Sequence, residues 1–267
     1  MSIVAANIAS EERTGRSKRY RAQFSPSHEL FRGHYPGNPI VPGNFILATF
    51  LDACRHGAAE AGATSCRRIR FRRRISPGDS FVVVVDDNAG GWTHCEALLD
   101  GNIAASADIT LGSTYRPEGY DRVDLSMVSA HEENLDKELV SKVRHRHPML
   151  FVENAPSDSD PYTVSYRFGQ CSRENSHHAV PVPLLLESAA QSAILVLSDQ
   201  PFSFGLLAGI ERIDILSEIP EQSVVEFRFR STRHIGRAVI TDVDVFSNSR
   251  KCVKVSRMLI AIDSIGG

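Results

Sequence analysis

A loop rich in proline and glycine, followed directly by an apolar helical pattern, is the most constraining feature of this 267-residue chain. Residues 33–43 read GHYPGNPIVPG and contain one histidine, His34. Because prolines fix φ and glycines allow backbone conformations closed to other residues, such a loop has a defined shape and can hold an imidazole in place. From Gly43 on, apolar residues recur at helical spacing: Phe45, Ile46, Phe50, Ala53 and Cys54. A helix that begins at Gly43 points its free N–H groups back toward the loop, where they and the histidine are suited to stabilising an oxyanion.

Composition argues against several classes of protein. The net charge of −2 gives no reason to expect nucleic-acid binding. The five cysteines contain no C-x-x-C pair, which indicates reduced thiols in a cytoplasmic protein. No apolar run approaches the roughly 18–20 residues of a membrane-spanning helix, and Met1–Arg13 lacks a signal-peptide pattern. We therefore predict a cytoplasmic protein with no membrane partner.

Outside the loop and helix, residues 1–113 read as strands separated by short turns. Turn signals occur at 11–15, at the sequence Ser-Pro-Gly-Asp of 76–79, at 88–91 and at the sequence Asp-Gly-Asn of 100–102, and Gly62 is expected to end the helix. The predicted strands are Ile3–Ala9, Arg16–Phe24, Arg67–Ile75, Phe81–Asp86, Trp92–Leu99 and Ile103–Leu111. One helix followed by an antiparallel meander is an α+β pattern, in which the helix lies on a curled sheet.

The second half repeats this order of elements faintly. A strand at Thr163–Phe168 and an apolar helix at Pro183–Leu197 are followed by a turn at 219–222 and three further strands, Val224–Phe229, Ala238–Phe246 and Val253–Ile262. Residues 114–142 between the halves are polar and read as a connector with a helical piece at Ser129–Val140. The sequence thus predicts two tandem units, 1–113 and 143–267.

Three segments carry a resemblance to a known family. The spacing H-Y-P-G-x-P-I-x-P-G from His34 to Gly43 resembles the signature of the β-hydroxyacyl-[acyl carrier protein] dehydratases of the hotdog fold. Val143–Glu153 resembles the H-R-Y-P-F segment that opens single-domain members, and Glu187 and Gln191 match the family's E-x-x-x-Q helix pattern. The resemblance implies a double hotdog, with each unit a long helix against a curled antiparallel sheet, so that one chain forms a pseudo-dimer.

The two units depart from the family in complementary ways. The family carries its catalytic Glu or Asp fourteen positions after the histidine, but here that position is Ala48. In the second unit the acid is kept as Glu187, whereas the position fourteen before it is Arg173. In single-domain relatives, as the resemblance implies, each site takes its histidine from one unit and its acid from the other. His34 and Glu187 would then form one composite site, while its twin is lost.

The resemblance implies dehydration of a 3-hydroxyacyl thioester to the trans-2-enoyl thioester, without a metal or an organic cofactor. His34 would be the base, and the N–H of Gly43 would bind the thioester oxygen, with Gly37 also assigned to substrate binding. Glu187 would protonate the leaving hydroxide, for which its pKa must be raised, and its apolar neighbours favour this by desolvation. The two groups should lie about 4–8 Å apart, because each needs hydrogen-bond reach to its own proton. Gln191 either orients the site or packs.

Other polar residues keep open interpretations. The segment CRRIRFRRR, residues 66–74, predicts an arginine stripe on one strand face, either solvated or docking an acidic carrier protein or a pantetheine phosphate; its members are Arg68, Arg70, Arg72 and Arg74. Packing is the expected role of His145 and His147, and the roles of Arg173, His177 and His178 stay open.

Two alternative functions compete with dehydration. A hotdog acyl thioesterase would use Glu187 to activate water, and a catalytically inactive hotdog would serve as a partner subunit. The sequence does not distinguish acyl carrier protein from coenzyme A as the carrier, fatty-acid from polyketide biosynthesis, or a single chain from a further homo-oligomer.

Overall fold

The computed structural model describes residues 3–4, 7–55, 62–87, 90–112, 123–128, 137, 142–154, 156–157, 159–170, 179–197 and 204–263. Among them, the first half contains β1 (Ile3–Val4), β2 (Asn7–Thr14), β3 (Ser17–Gln23), α1 (Leu30–Gly33), α2 (Gly43–Arg55), β4 (Gly62–Phe71), β5 (Ser80–Asp87), β6 (Thr93–Leu99), β7 (Asn102–Gly112) and β8 (Val123–Asp124). The second half contains β9 (Thr163–Arg167), α3 (Val182–Leu197), β10 (Phe204–Ile215), β11 (Val224–Ile235), β12 (Ala238–Ser247) and β13 (Arg250–Asp263). A short pair, β1 with β8, lies apart from the main sheet.

One antiparallel sheet runs through both halves of the molecule. In the described residues its order is β2-β3-β5-β6-β7-β4-β10-β13-β12-β11-β9. The two halves meet where β4 pairs with β10, with Ile69 opposite Ile210 and Cys66 opposite Ile213. Moving outward from this seam, β7, β6, β5 and β3 correspond to β13, β12, β11 and β9. This mirrored order is the topology of two fused hotdog units, and it confirms the α+β double-hotdog prediction.

The two long helices lie against the sheet and against each other. Almost every side chain of α2 is buried, and α3 is buried over most of its length. The Asn44 Nδ2 of α2 donates to the backbone oxygen of Pro183 at 2.6 Å, so the N-terminal ends of both helices meet. Glycine at position 43 allows this close approach, because the Cβ of any other residue would lie only 2.9 Å from the Phe71 ring. The N-terminal ends of the two helices therefore meet in the middle of the molecule, where β4 also pairs with β10.

Several local predictions need correction. The strand predicted at Arg67–Ile75 ends at Phe71, and Arg68 has a positive φ of 51° where the β4–β7 register shifts, so the four arginines do not share one regular strand face. The first hairpin turns at Gly15 rather than over 11–15, and Gly62 begins β4 instead of ending the helix. The predicted helix at 129–140 and most of the connector lie outside the described residues, so the unit boundaries stay a prediction. In the part of the chain that is described, no helix is long and apolar enough to cross a membrane.

Candidate active site

His34 is buried at the end of α1, where the chain turns toward the proline-rich loop. Its backbone N–H donates to Leu30 O at 2.8 Å, and its side chain is only 4% exposed. The next residue, Tyr35, has a positive φ of 52°, and its hydroxyl donates to the backbone oxygen of Gly205 in the second unit. The loop therefore fixes the imidazole against the other half of the molecule.

The hydrogen bonding of His34 determines which ring nitrogen is basic. Nδ1 lies 2.8 Å from the backbone oxygen of Ile40, and since a carbonyl only accepts, Nδ1 carries the proton. Burial is the largest influence on this ring, and it lowers the pKa of His34 to about 4, although the nearby Glu187 carboxylate acts in the opposite direction. The imidazole is therefore neutral near pH 7, with the lone pair on Nε2.

Glu187 reaches the same place from α3 of the second unit. The Nε2 of Gln191, one helical turn later, donates to Glu187 Oε1 at 2.9 Å and to Met149 O at 2.9 Å. The Oε1 of Gln191 accepts from the Phe151 N–H at 2.9 Å. Gln191 thus links the Glu187 carboxylate to the backbone of residues 149–151 by hydrogen bonds.

A second histidine contacts Glu187. The Nε2 of His145 lies 3.1 Å from Glu187 Oε1, and the side chain of His145 is buried. The His145 ring centroid is 5.1 Å from that of His34 and 4.9 Å from that of Tyr35, so the three rings form one cluster. One donor atom each from His34, His145 and Glu187 all lie within 4.8 Å of one another.

The ionisation of Glu187 differs from the prediction. Burial raises the pKa of its carboxyl, as the apolar neighbours led us to expect, but this effect is outweighed. The contact with His145, the proximity of His34 and the hydrogen bond from Gln191 favour the charged form and lower the pKa of Glu187 to about 2. In the free protein Glu187 is therefore a carboxylate, and the expectation of a raised pKa is wrong.

These side chains open into a cavity of about 210 Å³ between the units. Gly43, Asn44 and Ile46 line it from α2, and Ala190 and Ile194 line it from α3. The remaining wall is formed by Leu206–Ala208 of β10, by Ile260 and Ala261 of β13, by Phe71 at the end of β4 and by the arginines 72–74 that follow it. A narrow, largely apolar cavity with a few polar groups at one point suits an acyl chain with a reactive head.

The structure separates the predicted site residues into two groups. His34, Gly43, Glu187 and Gln191 line the cavity, and so do two members of the predicted arginine stripe, Arg72 and Arg74. Gly37 does not; it lies in an exposed turn with φ of 89°, so its assignment to substrate binding has no geometric support. Arg68 pairs with buried Asp108, and Arg70 with Glu211, both away from the cavity lining. Arg173, His177 and His178 lie outside the described residues.

His145 is the site residue that sequence reasoning missed. Its match to the H-R-Y-P-F segment was visible, but nothing in the sequence placed that segment beside Glu187. His34, His145 and Glu187 are also a group that could hold a metal ion. The family resemblance implies no metal here, and we assign them none.

Comparisons of the sequence with known proteins point to one family. A family model described as ApeI-like, ApeI dehydratase, matches residues 10–95. The chain is similar to the 3-hydroxyacyl-[acyl-carrier-protein] dehydratase FabZ of Oenococcus oeni, at 34% identity over 96 residues, which are 31% of this chain and 68% of that enzyme. The FabZ of Latilactobacillus sakei is 31% identical over 104 residues, 34% of this chain and 73% of that enzyme. The match to the FabZ of Agrobacterium fabrum, 34% identical over 101 residues, covers 33% of this chain and 64% of that enzyme.

Solved structures match over nearly the whole chain. The dehydratase domain from the CurJ module of the curacin polyketide synthase has a TM-score of 0.68 at 12% identity, covering 97% of both chains. The dehydratase domain of RzxB from Pseudomonas fluorescens has a TM-score of 0.65 at 13% identity, covering 97% of this chain and 96% of that one. At such identities the likeness concerns the fold, and it confirms that two hotdog units are joined in one polypeptide. Together with the sequence relatives, it shows that this chain belongs to the hotdog-fold family of 3-hydroxyacyl-[acyl-carrier-protein] dehydratases.

Proposed function

We propose that this chain removes water from a 3-hydroxyacyl thioester on an acyl carrier protein, giving the trans-2-enoyl thioester at one composite site. The observation that carries this proposal is the meeting of His34 from the first unit with Glu187 from the second, with donor atoms within 4.8 Å at the end of an apolar cavity. A β-elimination needs a base near Cα and an acid near the Cβ hydroxyl, and two groups at this separation can serve adjacent carbons.

His34 acts as the base in this scheme. Its Nδ1–H is held by Ile40 O, so the lone pair of Nε2 is available to remove the α-proton. The electrons of the broken C–H bond form the new Cα=Cβ double bond as the C–O bond to the hydroxyl breaks. Because the pKa of His34 is lowered to about 4, the ring is ready to accept a proton over the whole neutral range.

The thioester oxygen gains negative charge during proton removal and needs a hydrogen-bond donor. Gly43 is the first residue of α2 and lines the cavity, so its N–H has no acceptor within the helix. The positive end of the helix dipole lies at the same place. Such donors contribute most where water is excluded. Glu187 must first take up a proton from solution, and it then passes that proton to the hydroxyl, which leaves as water.

The carrier is supported by the relatives and by charge. The FabZ enzymes that match this chain are named for acyl-carrier-protein substrates. Arg72, Arg73 and Arg74 line the cavity and are exposed, which places positive charge where an acidic carrier protein or its pantetheine phosphate would approach. Coenzyme A would offer phosphates to the same side chains, so comparison of the two carriers decides between them.

Product analysis separates dehydration from thioester hydrolysis. We expect a 3-hydroxyacyl thioester to be converted to the enoyl thioester, with hydration of the enoyl substrate in reverse and no release of free thiol above background. Rapid thiol release from a saturated acyl thioester would instead identify a thioesterase, and the absence of both reactions would favour the inactive partner subunit.

Two substitutions test the composite site. His34→Ala and Glu187→Gln should each lower kcat by about 10²–10⁴-fold, the usual contribution of general acid or base catalysis. The double variant should cost little more, because the two groups act in one step. His147→Gln, an exposed histidine in the second unit, is the matched control and should keep wild-type activity. Near-normal turnover by Glu187→Gln would refute the composite site.

A further inference from the structure

We propose that Asn44 binds the 3-hydroxyl group of the substrate and makes the cavity selective for hydroxylated acyl chains. This inference deepens the proposed function and rests on it, since dehydration requires a substrate that carries this hydroxyl. Its basis is one atom, the side-chain oxygen Oδ1 of Asn44, which is buried and has no hydrogen-bond partner among the described residues. Asn44 lines the cavity and directly follows Gly43, whose N–H is assigned to the thioester oxygen.

The orientation of the Asn44 amide is fixed by its nitrogen. Nδ2 lies 2.6 Å from the backbone oxygen of Pro183, and since a carbonyl oxygen only accepts, the atom at this place must be the NH₂ group. The unpaired atom is then the carbonyl oxygen of the amide, and the side chain is only 1% exposed. Oδ1 is therefore a buried acceptor, and the group that it lacks is a donor.

A buried acceptor without a partner is costly, and folded proteins contain few of them. Packing alone does not explain the amide, because leucine has nearly the same shape and carries no unpaired oxygen. Binding sites hold a small number of precisely placed polar groups whose partners belong to the ligand. Because Asn44 lines the cavity, we expect the missing donor to come from the substrate.

The position of Asn44 identifies that donor. Pro183, which accepts from the amide, lies one helical turn before Glu187 in α3, and in an α-helix the same carbonyl also accepts from the Glu187 N–H. Asn44 is thus joined to Gly43 through the chain and to the first turn of the Glu187 helix through its amide. A 3-hydroxyacyl thioester places its hydroxyl between the groups that bind its carbonyl and protonate its leaving oxygen. The amide N–H groups of a pantetheine arm lie beyond the sulfur, farther from Glu187.

A hydrogen bond from the hydroxyl to Asn44 Oδ1 leaves the lone pairs of the substrate oxygen free to face Glu187. When the C–O bond breaks, the oxygen keeps the hydrogen that is bonded to Asn44 and takes its second proton from Glu187, so it leaves as water. A saturated acyl chain would place a C–H group against Oδ1 and leave the acceptor unpaired. Sites that are built to bind a hydroxyl reject analogues without it for this reason.

The test measures binding, so it does not depend on turnover. In the His34→Ala protein, which lacks the base, calorimetry gives the Kd of 3-hydroxyhexanoyl pantetheine and of hexanoyl pantetheine. Adding Asn44→Leu should reduce the preference for the hydroxylated ligand by about 5–20-fold and change the Kd of the saturated ligand by less than about twofold. The matched control is Thr49→Val, a buried residue of the same helix that donates to Phe45 O and does not line the cavity; it should change neither value.

A preference that Asn44→Leu leaves unchanged, or that the His34→Ala protein does not show, would overturn the inference. Equal weakening of both ligands would overturn it as well, because it would assign Oδ1 to the pantetheine arm that they share or to the shape of the cavity. If Asn44→Leu does not fold, the same two Kd values for Asn44→Ala decide. Product analysis of the wild type tests the proposed dehydration separately, so failure of one proposal can be told from failure of the other.

Discussion

Burial of a neutral imidazole predicts a specific loss of stability in mild acid. In the folded protein the pKa of His34 is lowered from 6.5 to about 4, chiefly by burial, whereas in the unfolded chain it keeps its ordinary value. Between these values the unfolded state binds a proton that the folded state does not, so stability falls as the pH falls through this window. A shift of one pKa unit corresponds to about 1.4 kcal/mol, so His34 should reduce the free energy of unfolding by about 2 kcal/mol at pH 5 and about 3 kcal/mol at pH 4.

The perturbation is His34→Asn, which replaces the ring with a group that does not titrate and whose amide nitrogen can still donate to Ile40 O. Urea unfolding of both proteins at pH 7, 6, 5 and 4.5 gives the free energy of unfolding of each as a function of pH. When each value is referred to that at pH 7, any pH-independent difference in stability between the two proteins cancels. Other histidines and carboxyls contribute to both curves and cancel in the same way. The wild type should lose about 2 kcal/mol more than the variant by pH 5.

Parallel curves for the two proteins between pH 7 and pH 5 would refute the reasoning, because they would show that His34 titrates as an exposed histidine does. The chemical shift of the His34 ring proton gives an independent check, since it should stay that of a neutral imidazole down to about pH 5.

Three further predictions concern the surroundings of the site. Gly33→Ala should push the segment of His145 away from the His34 loop and lower kcat at neutral pH by at least about tenfold; unchanged kinetics would show that the close approach is dispensable. Ala48→Glu should create no second site, so active-site titration should still count one ligand per chain, and a count of two would contradict a single composite site. Reversing Arg72 and Arg73 to Glu should raise KM for a carrier-bound substrate and leave a small thioester mimic nearly unaffected; equal effects on both substrates would exclude docking at this rim.

The fold could be predicted because its signals are local. Turn sequences such as Asp100-Gly101 adopt the positive φ angles that a tight hairpin needs, 51° and 74°, and the strands on either side follow from alternation. The bulge at Arg68 could not be predicted in this way. Its side chain pairs with Asp108, which is buried on the neighbouring strand, and that contact joins residues far apart in the sequence. A regular arginine stripe was therefore the natural but wrong interpretation.

The pairing of His34 with Glu187 was visible in the sequence because each unit keeps the half of the motif that the other has lost. What the sequence could not show is the ionisation state of that pair. The residues around Glu187 on its own helix are apolar, and from them alone a raised pKa follows. The opposite result comes from His145, which lies on a separate segment that no helical spacing relates to Glu187. Hydrogen bonds with Gly33 and Gln191 hold that segment beside the acid. The pKa of a buried acid is set by the few polar atoms that touch it, and here those atoms come from three separate segments of the chain.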